Sequence, residues 1–260
     1  MPPSRPEPKP RGAASTASIA GIEVEIVHKA VERLTLRVWP PYGRVTLVAP
    51  PRTPRRELER LVAERADWIA THQRRYRALS SHGDAAYADG ETHYLRGLPL
   101  TLERADGRAP SAQPDQAGAR LLLRAPAGTD DARLRRAVEA LHRRTLLTDL
   151  APLVRRWEER LGTSVSAVGV KRMTTRWGSC NPRARRIWLN LALAQRRPAL
   201  LEYVVVHELA HLFVPNHGRE FKALMTELLP PWRELGRELD AWPIWARLPP
   251  GAAPGAAPGA

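Results

Sequence analysis

Between about residues 19 and 50 apolar and polar positions alternate, with Ile22, Val24 and Ile26, then Leu34, Leu36 and Val38, then Val45, Leu47 and Val48. A period of two puts each set on one face of a strand, so three short strands are expected. The clearest turn between them is Pro40-Pro41-Tyr42-Gly43. The spacing then becomes helical. Thr53 reads as an N-cap and Pro54 as a first helical residue, followed by Leu58, Leu61, Val62, Arg65, Trp68 and Ile69, with Trp68 expected in the core. Strand-like patterns return at 91–104 and 119–124, with a hairpin turn at Gly97 and a polar loop over 105–118.

Thr129 or Asp130 caps a second helix, whose apolar stripe is Leu134, Val138, Leu141, Leu146 and Leu150. It is expected to run to about Leu161, with room for a break near Thr148. Val165 to Val170 alternates as a strand, Lys171 to Trp177 extends it or pairs beside it, and Arg186 to Leu191 gives another. Pro198 opens a helix that is apolar nearly all round. Glu220 to Leu228 and Arg233 to Leu239 read as short closing helices separated by Pro230-Pro231, with Trp242 and Trp245 as a terminal latch. This order is α+β, with a β-rich N-terminal half, and it shows no internal repeat before the C-terminal tail.

Composition alters this picture at the ends. Residues 1–18 are rich in Pro, Arg and Ser, and 247–260 repeat Pro, Gly and Ala. Both are expected as disordered tails, since little apolar surface is there to offset the entropy of ordering. The 260 residues carry a net charge of +14, part of which reflects a general preference for Arg. The single Cys180 excludes an intrachain disulfide framework and fits a reducing compartment. No apolar run approaches the ~18 residues of a membrane span, and the charged N-terminus lacks an apolar signal core, so a cytoplasmic location away from membranes is expected. Nothing in the chain points to an oligomeric state.

The chemistry concentrates in His207-Glu208-Leu209-Ala210-His211, with His217 six residues later. Residues at i and i+4 of a helix lie about 40° apart around the axis and about 6 Å apart along it. Both imidazoles can therefore reach one small cation, and the intervening Glu can reach its water, as in zinc peptidases. His217 can join only if the helix stops after His211, and Pro215-Asn216 supplies a stop. Three imidazoles and one water make an open tetrahedral zinc site. If the turn does not bring His217 round, a downstream acid, Glu220 or Glu227, is the alternative third ligand.

Thr175-Arg176-Trp177-Gly178-Ser179-Cys180, Ile187-Trp188-Leu189-Asn190, Tyr203 to Leu212, and Asn216-His217-Gly218 with Phe221 together resemble the YgjP-like metallopeptidase family. Leu36-Arg37-Val38, Trp68-Ile69, and Gly90-Glu91 before His93 to Gly97 fit its N-terminal pattern, so the resemblance covers roughly 22 to 240. It implies a β-rich region over 19–128 and a zincin-like catalytic domain over 129–246, built on a buried metal-binding helix. It also implies Zn2+ held by His207, His211 and His217, with Glu208 as catalytic acid/base. Two positions depart from related patterns. Lys222 follows Phe221 where family members tend to have Trp, and Val214 stands where metzincin peptidases carry the Gly of their turn.

The expected reaction is hydrolysis of a protein or peptide substrate, with zinc lowering the pKa of its water and Glu208 taking the proton. Arg176, Trp177, Gly178, Tyr203 and Asn190 are candidate substrate-side residues. Arg176 could stabilise an oxyanion, grip a carboxylate or pair with an acid. Trp177 and Gly178 read more readily as packing and a tight turn, and Asn190 as support for a loop or a ligand histidine. Tyr203 faces the cleft or packs. The basic run from Lys171 to Arg197 raises a rival, a nucleic-acid-associated protease resembling the Spartan/SprT type, although a solvated basic face is favoured. A third reading is a zinc-stabilised binding module, with Cys180 closing the fourth position.

Overall fold

The computed structural model describes residues 14–39, 42–80, 87–115, 119–242 and 244. The tails beyond them, Pro40-Pro41 and Trp245 of the expected latch lie outside the described residues. The chain forms a mixed α+β structure in two compact units, one up to Gly83 and one from Asp84 to Ile244.

The first unit holds β1 (Ala14–Ile19), β2 (Ile22–His28), β3 (Thr35–Trp39) and β4 (Arg44–Ala49), followed by α1 (Arg55–Glu64) and α2 (Ala66–Ser80). The sheet runs β1-β2-β4-β3, with β2 and β4 parallel and the outer pairs antiparallel. Strand β1 begins inside the stretch expected to be a tail. Its small polar residues hide it from any periodicity, but Ala20 and Gly21, both at positive φ, make a two-residue hairpin turn that folds it onto β2. The helix starts one residue later than its sequence suggests, with Pro54 at the N-cap and the Thr53 hydroxyl bonded to the Pro50 carbonyl. Trp68 is 39% exposed and packs edge-on to His72, so the core falls to Leu58, Val62 and Ile69 instead.

The second unit begins with β5 (Thr92–Leu95), β6 (Leu98–Asp106), β7 (Ser111–Pro114) and β8 (Arg120–Ala125), then α3 (Asp131–Leu161). Strand β7 lies in the expected polar loop. It is an edge strand whose only inward side chain is Ala112, too weak a signal to read. The order β5-β6-β8-β7, with β6 and β8 parallel, repeats that of the first sheet, down to a positive-φ hairpin turn at Arg96-Gly97. The chain thus contains a repeat in topology that its sequence does not display.

Helix α3 runs unbroken through Thr148 and Pro152, capped by the Asp130 carboxylate at one end and by left-handed Gly162 at the other. Its first half buries Leu134, Val138 and Leu141 against the β5–β8 sheet, and its second half buries Leu146, Leu150 and Trp157 in a separate core. The division drawn at 128/129 therefore runs through this unit, between β8 and the helix that covers it.

The second core holds β9 (Ala167–Lys171), β10 (Gly178–Asn181), β11 (Arg186–Asn190), α4 (Pro198–Ala210), α5 (Arg219–Leu228) and α6 (Trp232–Ala241). The sheet order is β10-β11-β9, which leaves β10 at an edge; Lys171 ends β9 and Arg172 to Trp177 is a loop. Helix α4 is buried nearly all round, and Glu202 near its start accepts from both Arg156 and the Trp157 indole. Among the described residues no helix is long and apolar enough to cross a membrane.

Candidate active site

The last turn of α4 carries His207 and Glu208, and His211 caps it. The helix then gives way to turns in which Phe213 and Val214 still donate to the Ala210 carbonyl, and Pro215, without an N–H, cannot continue. The chain doubles back through Asn216 and Gly218 into α5, and this return brings His217 to the same place. His217 Nε2 lies 2.9 Å from His207 Nε2, and the three side chains offer nitrogen atoms all within 4.8 Å of one another. Neither Glu220 nor Glu227 joins that group, and neither does Cys180.

Phe221, 1% exposed, lies beneath all three imidazoles at centroid distances of 4.8 to 5.0 Å. His211 Nδ1 faces the Val214 carbonyl at 3.1 Å; donation there leaves Nε2 free as the acceptor nitrogen. Burial, reinforced by His211 and His217, holds His207 down at about 4, so its ring is neutral at pH 7. Burial also lowers His211, against the Val214 hydrogen bond. Three imidazoles with no acid among them fit a borderline-soft dication such as zinc, and the donor set leaves a position open.

Glu208 is 5% exposed and sits across from β10. A Cβ on Gly178 would lie 2.5 Å from its Oε1 and 2.7 Å from its Cγ. Gly178 is therefore required by a close approach and not by a turn, since its φ is not positive. The Cys180 backbone N–H donates to the Glu208 carboxylate. Burial pushes Glu208 up to about 7, while Arg176 and that N–H pull the other way. The Cys180 thiol is raised to about 11 by burial and by Glu208.

Residues 32–241 match the family model described as YgjP-like, metallopeptidase domain. The chain belongs to the YgjP-like family. Membership supports metal-dependent peptidase function, and a metallopeptidase implies a metal ion. Curated proteins give no match. Among solved structures the chain is similar to the crystal structure of the metallopeptidase zymogen of Pyrococcus abyssi abylysin, at 20% identity and a TM-score of 0.31 over 33% of this chain and 87% of that one.

In this YgjP-like chain the histidines open onto a cleft of about 620 Å³, which Arg176, Trp177, Gly178 and Tyr203 also line. Asn190 does not. It is 1% exposed, and its amide donates to the Met173 and Arg176 carbonyls while its oxygen accepts from Ala192. It pins the 173–176 loop and hydrogen-bonds none of the three histidines. Sequence reasoning missed the opposite wall, Gly236, Leu239 and Asp240 of α6. The available signal was Gly236 itself, a costly residue inside an amphipathic helix; a Cβ there would meet the Tyr203 hydroxyl at 3.1 Å.

The basic run is largely drawn into the fold. Arg172 pairs with Glu139, Arg185 donates to Ser164 and Thr163, and Arg197 pairs with Glu238. Arg196 is 5% exposed and lies against the Trp177 ring, and Lys171 lies over Trp188.

Proposed function

We propose that the protein is a zinc peptidase in which His207, His211 and His217 hold the ion and Glu208 moves the proton. The observation that carries this reading is the convergence of the three imidazoles beside a buried carboxyl group. A zinc ion there would acidify a water molecule and polarise the carbonyl under attack. Glu208, anchored by the Cys180 N–H and unable to swing through the backbone of Gly178, is placed to serve as the base that would accept a proton from the attacking water and return it to the departing amine nitrogen. Strand β10 is an open sheet edge along the cleft, and an extended peptide can add to it through backbone hydrogen bonds. Trp177 and Tyr203 wall the space its side chains would fill.

The test is Glu208→Gln in zinc-loaded protein, assayed with proteome-derived peptides. The expected result is full zinc content and turnover reduced on the order of 10²- to 10⁴-fold. Undiminished turnover would refute the role of Glu208, and no cleavage by wild type would refute the peptidase reading.

A further inference from the structure

Of the residues lining the cleft, Arg176 alone is Arg or Lys. Four other arginines of the same unit pair with acids: Arg96 with Asp149, Arg156 with Glu202, Arg172 with Glu139 and Arg197 with Glu238. Among the described residues the exposed Arg176 guanidinium forms no ion pair in direct contact; it acts on the Glu208 carboxyl group only through space. Its backbone, in contrast, is held tightly. The Arg176 carbonyl accepts from Asn190 at 2.7 Å, the next carbonyl accepts from the Asn190 N–H at 2.8 Å, and Trp177 is backed by Arg196. A rigid mount under a guanidinium with five free donors is the form of a carboxylate receptor.

We infer that Arg176 is the specificity-determining residue of the cleft and binds a carboxylate of the peptide substrate, so that the preferred substrates carry either an acidic side chain or a free C-terminus at a fixed distance from the scissile bond. Carboxylates are the anions an unmodified peptide can bring, and the fork geometry of Arg accepts both oxygens of one. This rests on the peptidase reading and adds the substrate class to it.

The test compares wild type, Arg176→Ala and Arg176→Lys, zinc-loaded and full length, on a proteome-derived peptide library and then on matched synthetic peptides. The wild-type cleavage profile should be enriched in Asp and Glu at one subsite, or in sites at one distance from the C-terminus. Replacing that Glu by Gln separates the side-chain source, and amidation separates the terminal one. Whichever change removes the carboxylate should lower wild-type kcat/KM by about 10- to 100-fold and Arg176→Ala by less than about 3-fold, with the loss mainly in KM. Arg176→Lys should recover part of the preference. A wild-type profile indifferent to carboxylates overturns the inference alone. So does an Arg176→Ala enzyme slowed equally on every peptide with a displaced pH profile, because Arg176 would then be acting through Glu208. A wild-type enzyme that cleaves nothing overturns the peptidase reading and this inference with it.

Discussion

Gly178→Ala is the sharpest probe of how the Glu208 carboxyl group is held. The added methyl would stand 2.5 Å from Glu208 Oε1, 2.7 Å from Cγ and 2.8 Å from Cδ. Rotating the carboxyl group cannot relieve a clash that includes Cγ, so either the whole side chain retreats or β10 withdraws, by about 0.5–1 Å. Both routes weaken the Cys180 N–H contact that orients the carboxylate. Misplacement on that scale in a reacting group costs on the order of 100-fold in rate, and overpacking of a filled site costs about 1–3 kcal/mol of stability. The assay is kcat with zinc content and melting temperature, read beside Gly169→Ala. A methyl at Gly169 would strike the Trp188 ring in the same sheet, remote from the acid. Both variants should melt lower, and Gly178→Ala alone should lose about 100-fold in kcat with zinc retained. If its kcat stays within about 3-fold of wild type, contact with Gly178 does not position Glu208 and the reasoning fails.

Three further outcomes are expected. His217→Ala should weaken zinc binding by at least about 100-fold in a competitive chelator titration while leaving the fold intact, because His217 is exposed and its loss opens no cavity; unchanged affinity would remove it from the ligand set. His142, 7% exposed, is held at about 4 by burial and then by His93, against a hydrogen bond to the Tyr94 backbone. The unfolded chain therefore binds the extra proton first, and stability present above pH 6.5 is lost as the pH falls towards 4. Denaturant titrations at pH 7 and pH 4.5 should differ by about 2–3 kcal/mol from this group, and His142→Leu should lack that share. Asn190→Ala leaves two partly buried carbonyls short of a donor, and should cost about 1–3 kcal/mol and speed hydrogen exchange in 173–177; an unaltered exchange rate would show that the loop is held by other means.

The elements readable in the sequence were those whose side chains meet a single environment. Ile22, Val24 and Ile26 alternate because they share the face of β2 that packs into the first unit's core, and the Pro198 helix is uniformly apolar because α4 is enclosed. Two edge strands, β1 and β7, stayed hidden because backbone pairing, and not side-chain burial, holds them in place. Trp68 misled because a large ring at helical spacing reads as core, while α2 turns it outward and buries Ile69. In the candidate site the convergence of His207, His211 and His217 was legible because spacing along a helix and its following turn is local geometry. The α6 wall was not, since it is contributed by a helix whose pattern speaks only of its own buried face, Leu235 and Leu239.

The Arg176 to Cys180 segment sits between these cases, and the conflict in its sequence is informative. As a strand it is poor: β10 is four residues long, opens on Gly and has no fully buried side chain. Propensity would not place a strand there, yet each position has a use dictated from outside the strand. Gly178 is bare because Glu208 occupies the space of its side chain, and Cys180 offers an N–H to that carboxyl group. Trp177 covers the buried Arg196, and Arg176 is mounted on Asn190. Its pairing with β11 is supplied by a partner that does have a clear pattern, Ile187 and Leu189 inward. A segment whose residues contradict its own secondary structure while satisfying a neighbouring acid is what a site-building strand should look like from sequence. Weak local code flanking a strong ligand motif is thus itself a pointer to the wall of the cleft.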